Sequence, residues 1–172
     1  VMREKVLFMT RLLEETFQTK MLSHRAGRWA FDSRYAKLLV ELGYQVDCSV
    51  TPRVNWRNAK GAPQGNGGTD YQHFPDHAYY MDLDNISRAG NSPLLEVPMS
   101  IQYKHPAWLN TIKQGYDRLR GKYRSPSVNW LRPSGGNAAQ MIQVAQQCLS
   151  QGSEYVEFML HSRSEEHTSE LQ

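Results

Sequence analysis

The feature that most limits the fold of this chain is a regular alternation of helical and strand-like periodicity. Helical patterns begin near residue 3, after Asp32, at Pro106 and after Asn137; Asp32 and Asn137 can act as N-caps, and Pro106 suits a first turn. Strand candidates lie between and after them, at about residues 21–24, 44–50, 94–101, 128–131 and 155–160. This alternation predicts an α/β domain with a largely parallel sheet or barrel, whose chemistry follows the carboxyl ends of the strands.

A long connection separates the second and third strand candidates. Residues 53–78 contain four glycines and two prolines and show little periodicity, which predicts a loop. We interpret it as a loop within one domain rather than a linker between two. A chain of 172 residues suits one domain of ordinary size or a piece of a larger one.

Composition excludes several classes of function. The net charge of +3 is small and dispersed along the chain, so we expect no nucleic-acid partner. No apolar run approaches the roughly 18 residues that a membrane-spanning helix requires, so we expect no membrane span. Cys48 and Cys148 form no CxxC pair, so neither a disulfide framework nor a cysteine-built zinc site is predicted.

The two ends of the chain differ from the rest. Val1 leads directly into the first helical pattern without a capping residue, so we expect the chain to be a piece of a longer protein. Residues 163–172 are polar and aperiodic, and their sequence resembles the translation of a sequencing-adapter oligonucleotide. We therefore expect residues 1–162 to form the domain and residues 163–172 to have no packed place in it.

Polar side chains lie at the ends of three strand candidates. Arg25 and Arg28 follow residues 21–24, Asp47 lies in the next candidate, and His161 follows the last. Because parallel strands present their carboxyl ends at one edge, Arg25, Asp47 and His161 are predicted to converge there. A basic group, a carboxylate and an imidazole can together orient a substrate and transfer a proton. The same residue types also serve structural roles, as an ion pair, a turn cap and a strand-end hydrogen bond.

Four short motifs surround these polar residues. They are Arg25-Ala26-Gly27-Arg28-Trp29, the stretch 43–52, Leu95-Glu96-Val97-Pro98 and Met159-Leu160-His161-Ser162. In that order and spacing they resemble the later motifs of the polysaccharide deacetylases. That family is also called the NodB-homology group or carbohydrate esterase family four, and the similarity is to its WalW-like branch. It runs from about residue 1 to residue 162.

The resemblance implies a fold and a reaction. The fold would be a fragment of a distorted, incomplete (β/α) barrel, and the activity would be hydrolytic removal of acetyl groups from a polysaccharide or an amino sugar. Zinc or another divalent metal would activate the attacking water. The family's aspartate pair and His-x-x-x-His metal motif precede the region matched here. These ligands are therefore expected upstream of Val1, and the chain as given is expected to be inactive.

Three residues receive catalytic roles from the resemblance. Arg25 matches the arginine that orients the catalytic base. His161 matches the histidine that protonates the departing amine or alkoxide, and Asp47 matches the acidic residue that tunes this histidine.

A carbohydrate substrate would have further contacts in this chain. Arg28 is one candidate contact, although it could instead pair with a carboxylate. The other candidates are aromatic side chains that could stack on a sugar or serve as packing residues, namely Trp29, Trp56 and Tyr71. The remaining histidines are interpreted as surface or loop residues rather than as metal ligands: His24, His73, His77 and His105.

Two other functions stay open. The same scaffold could hydrolyse a C–N bond in a compound other than a sugar, and analogy at the level of the fold cannot choose between these substrates. The chain could also be a non-catalytic carbohydrate-binding module, if the longer protein lacks the metal motifs. An Asp-Asp pair at a strand end, followed by His-x-x-x-His upstream of Val1, would favour hydrolysis.

Overall fold

Helices and short strands alternate through the part of the chain that the structure describes. In this computed structural model that part comprises residues 2–59, 67–120, 126–133 and 137–160. The helices are α1 (Met2–Phe17), α2 (Ser33–Glu41), α3 (Ala107–Leu119) and α4 (Ala138–Ser150), with a 3₁₀ turn at Gly27–Trp29. The strands are β1 (Ser23–His24), β2 (Val46–Asp47), β3 (Tyr79–Tyr80), β4 (Leu95–Glu96), β5 (Ile101–Tyr103) and β6 (Val128–Trp130).

Parallel pairing dominates the larger of two sheets. Its order is β1-β2-β4-β3, in which β1, β2 and β4 run parallel and β3 runs antiparallel to β4. Strands β5 and β6 form a separate antiparallel pair. The fold is therefore mixed α/β with a parallel-containing sheet, as the sequence predicts. The four-stranded sheet is small, and its two edge strands do not pair to close it. Nothing in the described ranges shows a barrel.

Local sequence signals set the helix ends. The carboxylate of Asp32 accepts from the backbone N–H of Tyr35, and the Asn137 side chain accepts from that of Gln140, so both predicted N-caps are confirmed. Gly43 follows α2 with a φ of +83°, a conformation that costs glycine nothing. Gly43 therefore sets the approach to β2, because the chain turns at this residue from α2 into the sheet.

Two predicted strands differ from the observed ones. The candidate at 94–101 is divided, because the chain leaves the large sheet after Glu96 and joins the small one only at Ile101. Pro98, which has no N–H to donate, lies in the gap. The candidate at 155–160 forms no ladder among the described residues, although the N–H of Met159 donates to the Leu131 carbonyl.

The core of the described residues consists of three clusters. One packs α2 against the large sheet and includes Phe31, Leu39 and Leu94, and a second surrounds β5 and β6 and includes Met99 and Met159. The third packs α4 against the end of β6 and consists of Leu131, Val144 and Cys148. The apolar side of α3 is open, with Ile112 63% and Leu119 89% exposed. In the described part of the chain no helix is long and apolar enough to cross a membrane.

Candidate functional site

Three polar side chains form one row at the carboxyl ends of the parallel strands. The register pairs His24 with Asp47 and Asp47 with Glu96, and each is the last residue of its strand. Residues paired in register point to the same side of a sheet, so the three side chains are neighbours. Arg25 follows His24 directly. Asp47 thus ends its strand and Arg25 directly follows the end of β1, while the convergence of Arg25, Asp47 and His161 stays a prediction, because His161 lies outside the described residues.

Asp47 is the centre of this row. Its carboxylate is fully buried, and Oδ1 lies 2.7 Å from Nδ1 of His24. Ser49 donates twice, with its hydroxyl to Oδ1 at 2.9 Å and with its backbone N–H to Oδ2 at 3.1 Å. The Ser49 hydroxyl in turn accepts from the N–H of Ala26. Asp47 thus ties the end of β1 to the turn that follows β2.

His24 is a half-buried member of the site. Its side chain is 13% exposed, and Nε2 lies 3.0 Å from the hydroxyl of Tyr35. Burial and the charge of Asp47 raise the pKa of Tyr35, so this hydroxyl keeps its proton and can donate to the ring. The interpretation of His24 as a surface or loop histidine is wrong, because β1 directs the ring against α2 rather than towards solvent.

Glu96 adds a second fully buried carboxyl group beside Asp47. Its Oε1 accepts from the backbone N–H of Val50 at 2.8 Å, whereas Oε2 is buried without an N–H or O–H donor. Burial raises the pKa of Glu96 well above its usual range, and the charge of Asp47 raises it further. Burial therefore favours the protonated form of the Glu96 carboxyl.

A third carboxyl group, Glu157, approaches the row from the C-terminal segment. Burial raises its pKa from 4.5 to about 7, and the charge of Asp47 raises it too, while Arg25 opposes both effects. Burial raises the pKa of the Cys48 thiol to about 12, and the charge of Glu157 contributes to this rise. A carboxyl group that titrates near neutrality beside an arginine is suited to accept or deliver a proton.

Arg25 connects the carboxyl groups with a cluster of tryptophans. Its guanidinium carbon lies 5.7 Å from the centre of the Trp29 ring, and its charge acts on Glu157 and Cys48. Arg28 and Trp29 have φ angles of +57° and +58°, which are costly for bulky residues. This strained turn places the Trp29 ring against Trp56, and their ring centres are 6.2 Å apart.

The other predicted site residues have different positions. Arg28 is exposed on the 3₁₀ turn. Tyr71 is fully buried, and its hydroxyl donates to the Trp29 carbonyl at 2.8 Å, so its ring offers no face to a sugar and we assign it to the core. His161 and residues 163–172 lie outside the described residues.

The sequence interpretation missed two carboxyl groups that the structure brings to the site. Glu96 is a charged residue within the otherwise apolar segment 94–101, and Glu157 interrupts the apolar segment 155–160 in the same way. A lone carboxylate within a buried strand was the available signal, since such a group is buried only when it is paired or protonated.

The described residues do not supply a metal site. Nowhere in the ranges that the structure describes do three His, Cys, Asp or Glu side chains come together so that they could hold a metal ion. His24 and Asp47 instead form a hydrogen bond with each other, and Glu96 accepts from the N–H of Val50. We therefore derive no step through a metal from these residues.

Comparison with known proteins identified no relative of this chain: no family model, no curated protein and no solved structure matches it.

Proposed function

We propose that this chain is part of a polysaccharide deacetylase-type hydrolase, which removes acetyl groups from a polysaccharide or an amino sugar. The observation that carries the proposal is the row of His24, Asp47 and Glu96 at one edge of the parallel sheet, with Arg25 beside it. This is the edge at which α/β enzymes hold their reacting groups. The order of the four motifs in the sequence supports the same assignment.

The proposal gives each of these groups a task. Arg25 is exposed and cationic, so it can bind the oxygen of an acyl group or orient a base. Glu157 can exchange a proton near neutral pH, because its carboxyl titrates at about 7. Asp47 and Glu96 are buried, and they hold the turn at Ser49 and Val50 in place. In the proposed enzyme a divalent metal, bound by residues outside the described ranges, would supply the activated water.

The proposal also extends the fold. The β1-β2-β4 ladder would be one segment of a distorted, incomplete (β/α) barrel whose other strands belong to the longer protein. An open parallel edge, as at β1, is where such a sheet would continue. The chain of 172 residues alone is expected to release no acetate, because groups that act together in a site cannot replace one another.

A non-catalytic carbohydrate-binding module is the second candidate. It is favoured by the cluster of tryptophans beside Arg25, and by the lack of a metal-ligand group among the described residues. Such a module would bind sugars without releasing acetate.

The deciding experiment uses the longer protein. The gene is read upstream of Val1 for an Asp-Asp pair and a His-x-x-x-His motif, and the full product is assayed for acetate release from acetylated sugar oligomers. We expect zinc-dependent release, which Arg25→Gln reduces and Arg34→Gln leaves unchanged, since Arg34 is exposed on α2. Sugar binding without acetate release by the full protein would establish the binding module instead.

A further inference from the structure

Three tryptophan rings form a cluster next to the row of carboxyl groups. The centres of Trp29 and Trp130 are 5.9 Å apart, and those of Trp56 and Trp130 are 6.2 Å apart. Trp29 and Trp56 are stacked, with 16° between their ring planes. All three rings are partly exposed, so they pack against the Met99 and Met159 core cluster on one side while some of their surface stays open.

Arg132 lies on this cluster and has no acidic partner among the described residues. Its guanidinium carbon is 4.6 Å from the centre of the Trp130 ring, and its Nε is buried without a hydrogen-bond partner. In the described ranges Arg132 forms no ion pair, in contrast to Arg53, which bonds to Asp76 at 2.6 Å. Burial lowers the pKa of Arg132, as expected for a cation that has lost part of its hydration. A half-buried guanidinium that no acidic side chain of the described ranges neutralises is suited to bind a carboxylate from a ligand.

We propose that Trp29, Trp56, Trp130 and Arg132 form a subsite for a sugar ring that carries a carboxylate, that is, a uronic acid residue. The apolar face of the ring would lie on the tryptophans, and its carboxylate would accept from Arg132. The inference rests on the proposed function and deepens it, because it assigns an acidic polysaccharide as the substrate class. Arg25 joins this subsite to Glu157, since it lies over Trp29 and its charge acts on that carboxyl.

The contrasting interpretation is that the tryptophans serve packing alone. A packing cluster needs no cation that lacks an acidic partner. The N–H of Trp56 is already used within the protein, because it donates to the hydroxyl of Thr51 at 2.8 Å. Arg120, which lies 4.4 Å from the centre of the Tyr116 ring after α3, provides a matched control. Arg120 is an arginine at a similar distance from an aromatic ring, and it lies outside the tryptophan cluster.

Binding by the 172-residue chain tests the inference without requiring hydrolysis. Tryptophan fluorescence is titrated at low salt with a hyaluronan tetrasaccharide, which alternates glucuronate and N-acetylglucosamine, and with neutral N-acetylchitotetraose. We expect the acidic oligomer to bind about tenfold more tightly, and added NaCl to remove that preference. Arg132→Gln should abolish the preference, Arg132→Lys should retain part of it, and Arg120→Gln should leave it unchanged. Circular dichroism confirms that each variant is folded.

Several outcomes would overturn the inference. They are equal affinity for the two oligomers, no binding of either, and a preference that persists in folded Arg132→Gln. None of these bears on acetate release by the longer protein, so the proposed function would be judged separately. Conversely, tight binding of the acidic oligomer by a full protein that releases no acetate would support the subsite and refute the proposed hydrolase activity.

Discussion

The Nδ1 of His24 lies 2.7 Å from Oδ1 of Asp47, and this pair joins the ends of the first two parallel strands. The Asp47 carboxylate is fully buried, so the N–H of His24 replaces part of the hydration that the charge has lost. His24 is also held from its other side by Tyr35. The geometry of the site edge therefore depends on an imidazole that bridges a strand and a helix.

Removal of His24 should destabilise the fold strongly. We expect His24→Ala to lower the free energy of unfolding by about 2–4 kcal/mol, because it removes one hydrogen bond from a fully buried carboxylate and leaves a cavity beside Tyr35. Tyr35→Phe removes one hydrogen bond from the other side of the ring and should cost about 1 kcal/mol. His77 is the control, since its 3.6 Å contact with Asp76 is exposed and His77→Ala should change stability by less than about 0.5 kcal/mol. Urea unfolding at pH 7 measures all three variants.

The raised pKa of the buried Glu96 carboxyl predicts how Glu96 can be replaced. Glu96→Gln keeps an oxygen for the N–H of Val50 and supplies an N–H to Asp47, so we expect the variant to be within about 1 kcal/mol of the parent. Glu96→Ala should lower the free energy of unfolding by about 2–4 kcal/mol, because it opens a cavity and leaves the backbone N–H of Val50 without an acceptor. Urea unfolding at pH 7 tests both variants. If Glu96→Gln were as unstable as Glu96→Ala, the carboxyl would have to be ionised in the fold.

Glu157 should make the fold less stable as the pH rises. Its folded pKa of about 7 lies above its usual 4.5, so between these values the folded state binds more protons than the unfolded state. Stability then falls with increasing pH from about 4.5 to 7 and levels off above that. We expect Glu157→Gln to be more stable than the parent at pH 8 and to match it near pH 4.5.

Urea unfolding across this pH range tests the Glu157 prediction. The decrease should become smaller in Glu157→Gln but not vanish, because Glu96 contributes in the same direction. Glu154 is exposed three residues earlier, and Glu154→Gln should retain the full decrease. A parent protein whose stability is constant from pH 4.5 to 8 would contradict the burial of Glu157.

The predictable parts of the fold rest on local signals. Asp32 and Asn137 cap their helices through backbone groups three residues away, so the sequence alone contains both interacting partners. The position of Asp47 was also predictable, because alternating helices and strands imply parallel pairing and a common carboxyl edge. These inferences require no knowledge of which distant residues meet.

The missed parts depend on pairing between distant segments. Glu96 joins the site only because β4 pairs with β2 in one particular register, and a shift by one residue would turn its side chain to the other face. Tyr71 and Trp56 lie on the same long loop, yet Tyr71 is in the core and Trp56 is partly open. The sequence pattern of a loop contains no periodicity from which that difference could be read.

The reactivity of Cys48 tests whether Arg25 and Glu157 truly meet at the site edge. The pKa of this thiol is raised from 9.0 to about 12, mainly by burial and also by the charge of Glu157, whereas the charge of Arg25 lowers it. The thiolate fraction at pH 8 is therefore about a thousandfold below that of an ordinary thiol, and iodoacetamide should modify Cys48 correspondingly slowly. Glu157→Gln should accelerate the reaction and Arg25→Gln should slow it, as read by mass spectrometry of the Cys48 peptide. Arg34→Gln should have no effect, because Arg34 is exposed on α2. Equal rates in Arg25→Gln and Arg34→Gln would show that the charge of Arg25 does not act on Cys48. They would contradict the placement of Arg25 beside Cys48 and Glu157.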